Sequence, residues 1–378
     1  MDASLNWPRA RALVALLASS PLALVPACGT RTAPAKADFV DVLERPRSEE
    51  ARQELDLAER ELESGEWKRA LERLEVLCPE NAACARIAIL ARRAVTLAPT
   101  SEKARLRKLI LDKVRDEASK TGDTLELASL AFAEALFVDT AREEEQLLRR
   151  ALELEPEHYY ALTKLGERYW RRGELEAARA VLEKAVSLRR DLREGWLLLG
   201  QVAQDRGLYK QAAGHLETYL SLRPLDRQVQ LAYARLVAEQ LRDGKRAEAI
   251  LAKLRLEDPG NVEVGLDLGF ALYLQGRHRE AENLYHEMLD RRPRDVRVLL
   301  SLGNLYFGAL EEPVKALQTY RWMLEQRASD DVLAMLGQAL FVPARIRNIE
   351  QELSAKGKSL PATPKSIEEL RAVWDTQG

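Results

Sequence analysis

Residues 159–191 read YYALTKLGERYWRRGELEAARAVLEKAVSLRRD. Leu162, Leu165, Gly166 and Tyr169 recur at three- and four-residue spacing, which places them on one face of a helix. Gly173 punctuates the stretch, and Ala178, Leu182 and Ala185 then define a second helical face. Two short helices joined by a tight turn must run antiparallel. Gly166 and Ala178 are the small residues that let them approach closely.

The same pattern recurs on both sides. Phe132, Gly166, Gly200, Ala234, Gly269, Gly303 and Gly337 follow one another at intervals of 34, 34, 34, 35, 34 and 34 residues. One further unit carries Trp196, Leu199, Gly200, Gly207, Ala212, Leu216, Tyr219 and Pro224; another carries Leu268, Gly269, Gly276, Ala281, Tyr285, Met288 and Pro293. Ala212 and Ala281 repeat the small residue of Ala178. The glycines at 173, 207, 244 and 276 are expected between helices, where positive φ is needed. Prolines 156, 224, 259 and 293 are expected to stop each second helix.

A period of about 34 residues with these small residues in phase resembles the tetratricopeptide repeat. The resemblance implies an all-α, right-handed superhelical α-solenoid of antiparallel helix pairs that binds other proteins. Units are expected to start near 125, 159, 193, 227, 262, 296 and 330. Upstream, Leu57, Ala58, Gly65, Ala70, Leu74 and Leu77 form a degenerate copy, and Leu106, Leu109, Ile110 and Val114 mark one helix of a longer, atypical unit. The frame gives degenerate helices over 49–124 and repeats over 125–357, with Pro343 opening a helix that runs to about Ala355. Residues 358–378 are a linker and a last helix, with a capping-box spacing at Ser366 and Glu369. Ile367, Leu370 and Trp374 share its apolar face. It reads either as a cap over the exposed end of the stack or as a docking helix for a partner.

Residues 1–27 read as a signal peptide. Arg9 and Arg11 precede an apolar run, 13–27, interrupted at Ser19, Ser20 and Pro21. The run is too short for a bilayer span, which takes roughly 20 apolar residues. Val25-Pro26-Ala27-Cys28 resembles the lipobox of bacterial lipoproteins. That resemblance implies lipidation of Cys28, and Gly29 in the next position implies an outer-membrane destination. Residues 28–48 would then be a flexible tether. An ordinary secretory signal, or a cytoplasmic chain with an apolar start, are the alternatives. The chain has three cysteines; a lipidated Cys28 leaves Cys78 and Cys84, either a disulfide or two small buried side chains.

Nothing in the sequence assembles a catalytic or metal constellation. The four histidines, His158, His215, His278 and His286, form no His-Glu-x-x-His and are expected at the surface. The reading is therefore a chain that is not an enzyme, with no cofactor and no metal. With 58 Lys and Arg against 60 Asp and Glu, no nucleic-acid footprint is expected. In tetratricopeptide arrays the first helix of each unit lines the concave groove. One groove-facing position here reads Leu136, Trp170, Gln204, Ala238, Tyr273, Phe307 and Phe341. Phe270 falls one turn before Tyr273, and Asn304 one turn before Phe307. Trp170, Phe270, Tyr273, Asn304, Phe307 and Phe341 are thus the candidate peptide-binding residues. The competing reading is that these rings pack internally, or that residues 343–378 cover them. The positions that correspond to the basic, Asn-rich carboxylate clamp of chaperone-binding repeats carry Thr163 and Glu167, Leu197 and Gln201, and Leu300 and Asn304, so that clamp is absent. An apolar or helical segment of another envelope protein is the expected partner. A pilotin-like assembly factor for a pilus or secretion secretin, and a soluble periplasmic adaptor, are the alternative roles.

Overall fold

The computed structural model describes residues 48–77, 85–325 and 341–376, with 117–121 as backbone alone. The signal peptide, Cys28, the tether as far as residue 47, Cys78, Cys84 and the first part of the unit expected near 330 lie outside the described residues. Those residues hold 18 helices and no strand. They divide into two compact bodies, one ending at Arg223 and one starting at Pro224.

The N-terminal body is ten helices in five pairs: α1 (Glu49–Glu63) and α2 (Trp67–Leu77); α3 (Arg86–Leu97) and α4 (Thr100–Thr121); α5 (Thr124–Phe137) and α6 (Ala141–Leu154); α7 (Tyr159–Arg171) and α8 (Leu175–Leu188); α9 (Arg193–Asp205) and α10 (Tyr209–Leu222). The C-terminal body continues the frame with α11 (Arg227–Glu239), α12 (Gly244–Glu257), α13 (Val262–Leu274), α14 (His278–Arg291), α15 (Val296–Gly308) and α16 (Pro313–Glu325), then α17 (Phe341–Ala355) and α18 (Ile367–Trp374). Helices α7, α9, α11, α13 and α15 begin at the unit starts that the 34-residue frame predicts. Each body is a stack of antiparallel helix pairs.

Local chemistry sets the helix ends. Ser48, Asp123, Thr140, Asp226, Asp243, Asn261 and Asp295 are N-caps whose side chains accept a first-turn backbone N–H. Pro156, Pro224, Pro259 and Pro293 each fall two residues after a second helix ends. In the α7–α8, α9–α10 and α15–α16 pairs, packing depends on a missing Cβ. A methyl at Gly166 would lie 2.6 Å from Leu182 Cγ, one at Gly200 2.8 Å from Leu216 Cδ2, and one at Gly303 2.6 Å from Tyr320 Cε1.

Two sequence expectations need correction. His158 is not at the surface: it is fully buried against Phe132, ring centroids 5.0 Å apart, and it caps α7. Gly244 is not a turn glycine either. It is the buried first residue of α12, where a Cβ would lie 2.5 Å from the Ala271 carbonyl oxygen.

The left-handed turn position is instead in phase with the repeat, whatever residue occupies it. Gly173, Gly207 and Gly276 have φ of +79°, +73° and +74°, whereas Arg242 and Glu311 hold the equivalent sites at 56° and 55°. A residue with a side chain loses roughly 1–2 kcal/mol in this region, partly offset in glycine by its larger chain entropy when unfolded. Glu311 is exposed. Glu311→Gly is therefore expected to stabilise the chain by about 0.5–1 kcal/mol, seen as a higher urea midpoint. An unchanged midpoint would mean that the turn carries no such strain.

The last helix packs on its own chain. Trp374 Nε1 donates to Thr319 Oγ1 at 2.9 Å on α16, and its ring meets His286 of α14 edge-on at 4.6 Å. Arg371 pairs with Asp290 at 2.7 Å. Ser366 Oγ accepts the Glu369 N–H at 3.2 Å, while the Glu369 carboxylate accepts the N–H of Lys365 rather than of the cap residue itself.

Candidate functional site

The candidate residues fall on the first helices α7, α13 and α15 and at the start of α17. In the N-terminal body, Trp170 is half-buried against the core cluster that includes Leu182 and Leu199, and its indole N–H donates to Asp205 at 2.7 Å. One turn earlier Glu167 is buried between Lys164 at 2.7 Å and Arg171 at 2.5 Å. Burial works to raise its carboxyl, but the two cations outweigh it and hold it below the ordinary value.

The same body contains a cleft of about 290 Å³ lined by Glu59, Arg86, Tyr160, Arg189, Arg193 and Glu194, among others. Its charges meet across helices: Arg86 reaches Asp56 at 3.3 Å and also Glu59, and Arg193 lies 3.9 Å from Glu59. Three guanidiniums thus face carboxylates of similar number, and the lining has no sign to select an ion by. Sequence reasoning missed this cleft because its walls come from α1, α3, α7 and α9, far apart along the chain.

In the C-terminal body the candidate residues divide into two groups. Phe270 is buried, stacked 6.2 Å from Tyr273, with the Arg242 guanidinium 5.6 Å above it. Tyr273 is half-buried and also packs on His278 at 5.3 Å. Asn304 is buried and accepts from Tyr320 Oη at 2.7 Å and from Arg345 of α17. These three are engaged inside their own body.

Phe307 and Phe341 are different. They are 37% and 47% exposed, and they are the aromatic members of the exposed large apolar side chains among the described residues. Arg345 lies over the Phe307 ring at 5.5 Å, so α17 shields one face of this ring. Elsewhere in this body, Arg235 of α11 bridges Asp267 at 2.6 Å and Glu263 at 2.9 Å of α13. Burial raises the Asp267 carboxyl above its ordinary value, with Arg235 opposing. No group of His, Cys, Asp and Glu among the described residues is arranged to hold a metal ion.

Family models of the tetratricopeptide repeat match residues 144–192, 197–262 and 240–299. These segments are tetratricopeptide repeats, in the frame of α6 to α15. No curated protein matches the chain. Among solved structures, it is similar to a tetratricopeptide repeat protein from Parabacteroides merdae ATCC 43184, with 19% identity over 70% of this chain and 98% of that one and a TM-score of 0.41. It is also similar to YrrB, described as a TPR protein with an unusual peptide-binding site (18% identity, 56% and 97% covered, TM-score 0.38). A third is PilW, described as a widely conserved type IV pilus biogenesis factor (22% identity, 57% and 98% covered, TM-score 0.35).

Proposed function

We propose that this chain is a lipid-anchored scaffold of a bacterial envelope. It captures an apolar or helical segment of another envelope protein on the first-helix side of the C-terminal body. The observation that supports the binding site is the division just described. Phe270 and Asn304 are consumed by internal contacts, whereas Phe307 and Phe341 keep large apolar rings in solvent. Exposed aromatics on a stiff helical frame desolvate much area at little entropy cost, which suits them as anchors.

The test is retention of one identified envelope partner by immobilised protein. Phe307→Ala/Phe341→Ala is expected to weaken it by about 100-fold, because two anchors at ~1.4 kcal/mol each multiply. Phe270→Ala is expected to lower stability and leave the affinity nearly unchanged. Equal retention by wild type and the double variant would place the site elsewhere.

The anchor is supported by Arg9, Arg11, the short apolar run and the lipobox-like Val25–Cys28. Intact mass of protein taken from membranes, beside Cys28→Ala, tests it. A chain starting at Cys28 with a diacylglycerol and an acyl group is expected. An unmodified chain starting elsewhere would make the scaffold a soluble adaptor.

A further inference from the structure

The near-neutral charge of the chain hides a segregation. Between Arg86 and Arg115 there are nine Lys and Arg against two acids, Glu102 and Asp112, which leaves 49 basic against 58 acidic residues elsewhere. This segment is α3 and α4 as far as Arg115, joined by a short elbow at Ala98 and Pro99; the end of α4 adds Asp116, Glu117 and Lys120, so the whole pair holds ten Lys and Arg against four acids.

Four of the nine are spent on carboxylates: Arg86 on Glu59, Arg107 on Asp139, Lys113 on Glu75 and Arg115 on Glu134. The other five, Arg92, Arg93, Lys103, Arg105 and Lys108, have no carboxylate in ion-pair range among the described residues. All five flank the elbow within two to three turns. Lys103 Nζ donates to the Thr96 carbonyl at 2.9 Å, which ties the start of α4 to the end of α3. Arg92 is exposed, with its guanidinium 5.9 Å from the centre of the Phe137 ring. Arg105 and Lys108 are exposed, and Leu97 at the elbow is 47% exposed. The result is five unneutralised cations on the two helices that flank an elbow with one exposed leucine, on a chain that otherwise carries an acidic excess.

We infer that the α3–α4 elbow adsorbs to an anionic lipid headgroup surface. Clusters of four to eight Lys and Arg are drawn to such surfaces by the negative potential, and an adjoining exposed leucine can enter the interface. A neutral face would gain nothing there, and pairing with carboxylates would cancel the attraction. The choice of lipid over another polyanion rests on the anchor reading above: a lipid at Cys28 leaves 20 residues before Ser48, a flexible reach of roughly 25 Å. That keeps the N-terminal body at the membrane.

The test is flotation of the purified full chain carrying Cys28→Ala with two kinds of vesicle, phosphatidylcholine alone and phosphatidylcholine mixed with phosphatidylglycerol. The phosphatidylcholine arm gives the baseline set by the apolar N-terminus. Binding to the anionic vesicles is expected to exceed it and to fall with added NaCl. Arg93→Glu/Arg105→Glu/Lys108→Glu is expected to weaken the anionic-vesicle partitioning by roughly 100-fold, to the baseline. Arg190→Glu/Lys210→Glu/Lys253→Glu, exposed sites with the same change in net charge, is expected to keep most of the binding. Superimposable circular-dichroism melts establish that both variants fold.

Equal binding to the two vesicle types, or anionic binding unmoved by the elbow variant, overturns the inference. So does loss of heparin or DNA binding in that variant with no change on vesicles, which would assign the elbow to a soluble polyanion. Because Cys28→Ala carries no lipid, none of these outcomes depends on the anchor, and the intact-mass experiment tests the anchor alone.

Discussion

Gly244→Ala is expected to destabilise the chain by about 2–3 kcal/mol, more than Gly166→Ala or Gly200→Ala. The reason is what the added methyl meets. At Gly166 and Gly200 it meets the branched ends of Leu182 and Leu216, which can change rotamer. At Gly244 it meets the Ala271 carbonyl oxygen at 2.5 Å and Leu274 Cβ at 2.9 Å, both fixed to α13. Relief requires moving a helix whose opposite side is held by Gly269 on Tyr285, where a methyl would lie 2.5 Å from ring carbon Cε1. Alanine's helix preference, about 1 kcal/mol in a helix interior, is worth less in the first turn and does not offset this. Urea unfolding of Gly244→Ala beside Gly166→Ala reads the difference. A Gly244→Ala chain as stable as wild type would show that α12 and α13 can separate without loss.

Gly244 also shows what was legible in the sequence. The repeat frame was legible because small residues recur in phase, and the starts of α7, α9, α11, α13 and α15 follow from that phase. Gly244 breaks it: it lies 37 residues after Gly207 and 32 before Gly276, while Arg242 lies 35 after and 34 before. Spacing therefore marked Arg242 as the turn residue, and residue type alone pointed to the wrong position.

The helices that carry the candidate residues were legible and the exposure of each ring was not. Phe270 lies on α13 and Phe307 on α15, both first helices of the frame. Which ring stays in solvent depends on Arg242 and Arg345, which arrive from a turn and from α17. No helical period records that. The α3–α4 elbow was hidden for a simpler reason, since averaging charge over 378 residues cancels a local excess. A count within each helix pair would have found it.

His158 was misjudged because nothing near it in sequence buries it; Phe132, 26 residues away, does. Its Nδ1 accepts the Ala161 N–H at 3.1 Å, so the ring proton sits on Nε2, which is buried without an acceptor. A second proton would charge the ring in an apolar site. Burial therefore depresses the imidazole to about 4 from its ordinary value of 6.5, with a contact to its own backbone only partly opposing; the cap bond, which requires an unprotonated Nδ1, works with burial.

The sign follows from linkage. Between the two values the unfolded chain binds the proton and the folded chain does not, so stability is full above about pH 6.5 and falls as pH drops toward 4. At 1.36 kcal/mol per unit, the loss on reaching pH 4 is about 3 kcal/mol. His158→Asn keeps a side-chain acceptor for the α7 cap and removes the titration. The variant is expected to be less stable near pH 7 by about 1–2 kcal/mol, for lost packing on Phe132, and to overtake wild type as pH approaches 4.

Asp267 and Glu239 in the C-terminal body are raised by burial and work in the opposite direction. The raw pH curve of the wild type therefore mixes both effects. The difference between wild type and His158→Asn, from urea unfolding at several pH values, isolates the histidine because the two carboxylates are common to both chains. A constant difference between pH 7 and 4 would show that His158 titrates alike in the folded and unfolded chain, and that the cap is open to water.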